Sequence, residues 1–487
     1  MSAHLTTVAG VAVDTRHFIG GERVASAETF TDLSPIDGNT LAEVSRGTAA
    51  EAAAAVAAAK AAFPGWAATP RAERARILRG IADGVDKRVE ELAAVETADN
   101  GALLRSHRRG VMPRVAHNFR FFADRLVGLD HGDFTTRGHT NHVSWDPAGP
   151  CVLITPWNAP LMLATWKVAP ALAAGNTVVL KPAEWSPLTA SLLADIATGA
   201  GLPAGVLNVV QGHGSEIGEA LTSHPDVRRI SFTGSVPTAR RIAASAAANL
   251  TPLSLELGGK SPLLVFADAD LDLAVDLAVE QYDNAGQVCL AATRILVEAS
   301  VAEEFTRRLG EKAAGLEQGD PRHETTDIGP NIHPRQLERI DGFVRRALAA
   351  GARAVVGGHR GEGQYYAPTL LTDVAQDSEI VQEEVFGPVL TLQTFTDEDE
   401  AVRLANDTRF GLAATVATGD AERAARVAAR LVAGTVWVNC FFVRDLRAPF
   451  GGSRHSGVGR EGGTWSFDFY CDVKNTVTAP KGFEDHG

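Results

Sequence analysis

Residues 151–181 read CVLITPWNAPLMLATWKVAPALAAGNTVVLK, and the order of textures in this stretch decides the fold. A short apolar run, CVLIT, stops at a loop bracketed by Pro156 and Pro160. An Ala- and Leu-rich stretch of helical length follows, and after Gly175 comes a second short run, NTVVL. Strand-length apolar runs separated by a helix mark a βαβ unit, whose strands lie parallel in one sheet. The alternation continues through GVLNVV and RISFTG and resumes after Lys260 with SPLLVF, RILVEA, ARAVVGG and GTVWVNC. Two successive α/β cores are expected, with no internal repeat relating them.

Upstream, HFIGGERV (17–24) carries a Gly-Gly turn between two apolar pieces, which suits a short β meander. Residues 49–88 show apolar positions at helical spacing, punctuated by Pro64 and Pro70, and a third helix is expected over 111–126. HTNHVSWDP (139–147) and DVKNTVTAP (472–480) read as strands outside both cores. Such strands need a partner edge. Another subunit could supply it, or the two could form a surface ribbon within one chain.

The 487 residues suggest about three domains or lobes at ~150 residues each. A net charge of −13 without a basic block disfavours nucleic acid and anionic membranes as partners. Cys151, Cys289, Cys440 and Cys471 are too few for a disulfide framework and form no CxxC pair. The N-terminal segment lacks a basic region followed by an apolar one, and the apolar stretch 168–180 is too short to span a bilayer. The expectation is a reduced, soluble, cytoplasmic protein without a metal centre.

No GxSxG, HExxH or P-loop motif occurs. His139 and His142 have ligand spacing for a helix but sit in a strand-like stretch, so they read as surface histidines. Gly212–Gly218 (GHGSEIG) nearly matches a dinucleotide fingerprint, but it better suits a plain glycine-rich strand-to-helix turn. Five further segments carry more together than apart. GQVC places Cys289 after small residues, where a lone cysteine is usually a small buried hydrophobe. ELGGK offers Glu256, TPWNAP offers Asn158 in a rigid loop, and KPAE sets Lys181 and Glu184 after a strand. EEVFGPV supplies Glu383, Glu384 and Phe386.

Taken with FTGS (232–235) and PFGGSRHSGVGRE (449–461), these segments resemble the NAD(P)-dependent aldehyde dehydrogenase superfamily, in the expected order across residues 18–477. The resemblance implies two doubly wound, open-sheet α/β domains plus a small β oligomerisation ribbon. The NAD-binding domain would comprise 1–127 and 147–257, the catalytic domain 258–455, and the ribbon 128–146 and 456–487. It implies homodimers or homotetramers.

The resemblance makes Cys289 the nucleophile, Asn158 the amide that donates to the oxyanion, and Glu256 the base that activates water. Relatives that pass the acyl group to coenzyme A generally lack this Glu, so release of a free acid is implied. Lys167 and Glu461 match positions implicated in proton relay, although a surface ion pair would account for them equally well. On the cofactor side the matched residues are Thr155, Pro156, Trp157, Lys181, Glu184, Gly234, Ser235, Leu257, Glu384 and Phe386. A carboxylate at Glu184 accepts from a ribose 2′-OH and repels a 2′-phosphate, which favours NAD over NADP. Where family members commonly carry Gly four residues after Ser235, this chain has Ala239.

Within the superfamily, MPRVAHNFRFFAD (112–124), TWKVAPALAAGNTVV (165–179), VRDLRAPFGG (443–452) and GREGGTWSFDFY (459–470) resemble dehydrogenases of muconic semialdehydes, products of aromatic meta-cleavage. Arg114 and Arg444 match the arginines that clasp the substrate carboxylate there, and Phe450 is implied to line the same pocket. The competing expectation is that these arginines pair with Asp445 or Asp124 as scaffold, or that Arg447 takes the substrate instead. Rival functions are a dehydrogenase for neutral or betaine-type aldehydes and a catalytically silent structural relative.

Overall fold

A computed structural model describes residues 4–129 and 132–481. Residues 1–3 of the expected NAD-binding domain, and 130–131 and 482–487 of the expected ribbon, lie outside the described residues. CVLIT and NTVVL form adjacent parallel strands, Pro150–Ile154 and Thr177–Lys181, joined by the helix Pro160–Ala174. They centre an eight-stranded sheet whose five inner strands are parallel: Leu253–Leu257, Arg229–Gly234, Pro150–Ile154, Thr177–Lys181 and Leu207–Val209. The HFIGGERV hairpin, His17–Ile19 with Glu22–Val24, closes one edge antiparallel.

Alternation along the strands divides the apolar side chains between two faces. Cys151, Leu153, Val178 and Leu180 pack under the helices Arg71–Asp86, Met112–Val127, Pro160–Ala174 and Leu188–Gly199. Val152, Val179, Ile230 and Phe232 pack under Ala49–Ala68, Gly214–Thr222 and Val236–Ala247. The sheet is thus wound on both faces. The second core is a seven-stranded sheet, parallel apart from its edge strand Arg353–Val356, and it too buries both faces.

The outer strands find their partners within the chain. Cys471–Thr478 pairs with His139–Pro147, which pairs with Gly132–Thr136, in one antiparallel three-stranded sheet. The segment after 455 divides, however. Gly457–Val458 joins the far edge of the first sheet opposite Leu255 and Glu256, and only the later strand belongs to the ribbon. Pro64 does not end its helix; Ala49–Ala68 runs through it, anchored by buried Trp66, whose indole donates to Leu172 O at 3.2 Å. The third helix begins at Met112, one residue late, because a π-helical turn, His107–Val111, precedes it. GHGSEIG forms a strand-to-helix turn ahead of Gly214–Thr222, with Gly212 at φ +138° against Gly47.

Candidate active site

The C-terminal ends of the parallel strands of an open α/β sheet form a crevice where ligands collect. Thr155, Lys181, Gly234 and Leu257 all stand at those ends. Glu256 sits one residue before the end of its strand, and Asn158 lies in the loop between Ile154 and the helix at Pro160.

Cys289 approaches from the second core. It follows a tight 3₁₀ segment, Glu280–Gly286, with Asn284, Ala285 and Gly286 left-handed at φ +49°, +53° and +70°. Gly286 packs so closely on the Gly387 carbonyl that no Cβ would fit. Two amides join the loops: Asn284 Nδ2 donates to Asn158 O at 3.0 Å, and Asn158 Nδ2 donates to Gln287 O at 2.9 Å. One N–H of Asn158 is therefore engaged two residues before the thiol, and the other is left to donate. Burial, with Glu384 and Glu256 nearby, pushes the Cys289 thiol up to about 12, against the opposing charge of Arg444.

Glu256 is 4% exposed, and neither carboxylate oxygen has a hydrogen-bond partner among the described residues. Burial raises its proton affinity well above the ordinary carboxylate range, and the negative charge of Glu461 adds to this. Glu461 is as buried but well held: its Oε1 accepts from Lys167 Nζ at 2.8 Å, Ser231 Oγ at 3.0 Å and Ser254 Oγ at 3.2 Å. Its backbone is paired with Phe450 in both directions, N–H to carbonyl at 2.7 and 2.8 Å. Lys167 and Glu461 do form an ion pair, but a fully buried one with two serine hydroxyls. Ser231 and Ser254 carried no sequence signal, because hydroxyls within apolar strands read as ordinary strand positions.

Lys181 Nζ lies 3.5 Å from Glu184 and donates to Pro182 O at 2.9 Å; burial lowers its pKa. Ser235 begins the helix Val236–Ala247, where its Oγ accepts from Thr238 N at 3.4 Å. Ala239 is buried in that helix without disturbing it. Glu384 Oε1 accepts from Gly259 N at 3.0 Å and lies directly over Gly258, where any side chain would collide; burial pushes its carboxyl up to about 7. Phe386, left-handed at φ +59°, sets its ring edge-on to Trp157 at 5.2 Å. A buried cation beside a carboxylate, a helix N-terminus that favours an anion, and a second carboxylate over a bare glycine suit a dinucleotide.

Asn158, Glu256, Cys289, Arg114, Arg444, Phe450 and Glu461 line one cavity of about 660 Å³. The Arg444 guanidinium stacks 3.7 Å from the centroid of the Phe450 ring and 5.2 Å from that of Trp166, and Arg114 lies 5.9 Å from the same indole. Neither makes a carboxylate ion pair among the described residues. The expected scaffold partners are taken: Asp124 pairs with Arg79 and Asp445 with Arg447 at 2.5 Å, which also leaves Arg447 exposed and engaged. Burial, then the like charge of Arg114, lowers Arg444 to about 10. Trp166 as a stacking platform, and His107, Arg105 and Arg109 in the cavity wall, were not picked out from the sequence. His142 Nδ1 faces Asp133 at 2.6 Å, and among the described residues no group of three or more His, Cys, Asp or Glu side chains is placed to hold a metal ion. All four cysteines are free, and no helix among the described residues is long and apolar enough to cross a membrane.

The sequence profile described as the aldehyde dehydrogenase family matches residues 23–476. A 2-aminomuconic semialdehyde dehydrogenase from Danio rerio is 42% identical, covering 95% of this chain and 97% of its own. A 5-carboxymethyl-2-hydroxymuconate semialdehyde dehydrogenase from Escherichia coli is 44% identical, covering 92% and 98%. Among solved structures, an indole-3-acetaldehyde dehydrogenase in complex with NAD+ superposes with a TM-score of 0.95 at 39% identity, covering 96% of this chain and 97% of that one. With the profile spanning nearly all of its length, the chain belongs to the aldehyde dehydrogenase family.

Proposed function

We propose that the chain is an NAD-dependent, hydrolytic aldehyde dehydrogenase for a carboxylated semialdehyde of the muconic type. The observation that carries the substrate class is Arg444, a guanidinium stacked between Phe450 and Trp166 in the cavity of Cys289, with no acid partner among the described residues. A guanidinium binds a carboxylate through two parallel charge-assisted bonds, worth ~1.5–3 kcal/mol each. The muconic semialdehyde names of the relatives and the NAD+ in the related structure support the reading.

In this reading the Cys289 thiolate attacks the carbonyl carbon, and the carbonyl π electrons move to oxygen. The free N–H of Asn158 and the Cys289 backbone N–H hold that oxyanion. Lys181, Glu184, Ser235, Glu384 and Phe386 hold NAD, which when bound supplies the acceptor for the hydride leaving the former aldehyde carbon. The acyl group then remains on sulfur as a thioester. Glu256, with both oxygens unpartnered and its proton affinity raised, takes a proton from water; the resulting hydroxide attacks the thioester, and the thiolate leaves. Lys167, Ser231 and Ser254 hold Glu461 beside it.

The reading includes the three domains divided at 127, 147, 257 and 455, with Gly457–Val458 assigned to the first sheet. It also includes a homodimer or homotetramer formed through the ribbon, supported by Val473 and Val477 exposed on its outer strand. Four unpaired thiols support a cytoplasmic location.

The test is steady-state NADH formation from a muconic semialdehyde, betaine aldehyde and a medium-chain aldehyde. A kcat/KM at least ~10-fold higher for the first is expected from one charge-assisted contact. Equal values would return both arginines to the scaffold, and NADH formation by Cys289→Ala at the wild-type rate would overturn Cys289 as the nucleophile.

A further inference from the structure

The helix Pro160–Ala174 begins directly after the Asn158 loop, yet its start has no cap of its own. Its N-cap residue, Ala159, has no polar side chain, and Pro160 has no N–H. The first free donor, Leu161 N–H, is satisfied from another helix: Glu96 Oε2 accepts it at 3.1 Å and accepts Thr189 Oγ1 at 2.8 Å. Glu96 belongs to Val89–Asn100 and is completely buried. Asp99, one turn on, does the same for Leu188 N–H at 3.0 Å, where the N-cap residue Pro187 supplies no side-chain cap either. Glu96 Oε1 has no hydrogen-bond partner among the described residues and lies 3.9 Å from Nε2 of His107. His107 opens the π-helical turn His107–Val111 and lines the cavity together with Asn158 and Ala159. One side chain thus touches the wall of the substrate cavity and the backbone that presents the oxyanion donor.

We propose that Glu96 is a positioning residue for the reaction: by holding Leu161 N–H and the Thr189 hydroxyl on one oxygen, it fixes the loop that presents Asn158 to the developing oxyanion. The proposal rests on the reading of Asn158 as that donor. A donor acts only if it stands within hydrogen-bond distance of where the oxyanion will be, and small displacements are costly. Glu96 does not touch the substrate, so its loss moves kcat and leaves binding in place. Burial pushes its carboxyl up to about 8, so near neutrality a Gln amide is a close substitute.

The test is a double-mutant cycle of Glu96→Ala with Asn158→Ala, reading kcat and KM separately for aldehyde and NAD. Asn158→Ala alone is expected to lower kcat by ~10²–10³-fold. Glu96→Ala alone is expected to lower kcat by ~10–100-fold with both KM values within about threefold, and Glu96→Gln to restore kcat to within about threefold. In the Asn158→Ala background, Glu96→Ala is expected to cost less than about threefold, because the donor it positions is gone. The same loss in both backgrounds, or a change in KM alone, would overturn the proposal. A wild-type rate in Asn158→Ala would overturn the oxyanion reading and the proposal with it. If the alanine variant does not fold, Glu96→Asp, which withdraws the carboxylate by one methylene, serves the same cycle with the same criteria.

Discussion

Two pairs of arginines line one cavity and are held in opposite ways. Arg105 and Arg109 are neutralised by the second core: Arg109 Nη2 donates to Glu324 Oε2 at 3.1 Å, and Arg105 donates to the Glu324 carbonyl at 2.5 Å and to Asp327 at 3.4 Å. Arg114 and Arg444 have aromatic faces in place of acids, and among the described residues their one side-chain hydrogen bond is a long 3.5 Å contact from Arg114 Nη1 to Arg444 O. A partly buried guanidinium without an anion is costly to keep, so its retention is best understood through an anion that arrives from outside. The first pair joins residues of the two cores, and in the proposed function the second is left for the carboxylate of a substrate.

The most severe way to test that contrast is to remove both waiting guanidinium groups. Arg114→Ala with Arg444→Ala is expected to lower kcat/KM for a carboxylated semialdehyde by ~10³-fold, from two lost charge-assisted contacts at ~1.5–3 kcal/mol each. A neutral aldehyde of similar length is expected to change by less than about fivefold. Arg114→Ala alone is expected to cost ~10-fold on the acidic substrate, since its site is the less enclosed of the two.

A smaller effect sharpens the comparison through the thiol. Arg444 opposes the burial that drives Cys289 up to about 12. Its removal therefore raises the thiol further and reduces the thiolate present at any fixed pH. Alkylation of Cys289 by iodoacetamide is expected to rise about tenfold per pH unit between pH 7 and 10, and to run several-fold slower in Arg444→Ala. An unchanged rate would separate the arginine from the nucleophile. The smallest change is expected from Arg109→Ala. Its pairs are exposed, so kcat/KM should stay within about twofold and stability within ~0.5 kcal/mol, read from activity and chemical denaturation.

Much of this was legible in the sequence, for identifiable reasons. Strands buried on both faces must be continuously apolar, so CVLIT, NTVVL and RISFTG announced the first sheet and SPLLVF and RILVEA the second. The π-helical turn at His107–Val111 was not legible, because its residues, HRRGV, carry no periodicity that separates it from the α-helix beyond. Pro64 misled for a related reason: a proline removes one N–H locally, and the buried Trp66 holds the helix together past it. Cys289, Glu256 and Asn158 were each ordinary alone and stood out only as a set in order. Around Glu461 the resemblance supplied Lys167 but not the serines, since Ser231 and Ser254 reach it from 230 and 207 positions away and read as ordinary strand residues. Whether an arginine is paired depends on tertiary contacts too, which is why Arg105 and Arg444 look alike in the sequence and differ in the fold.

The most direct measurement is the ratio of kcat/KM with NAD for 2-hydroxymuconic semialdehyde over a neutral aldehyde of the same length, in wild type and in Arg444→Ala. The ratio is expected to be large in the wild type and to fall by ~10–100-fold in the variant, with the neutral substrate little affected. A ratio near one in the wild type, or one that survives the substitution, would contradict this expectation.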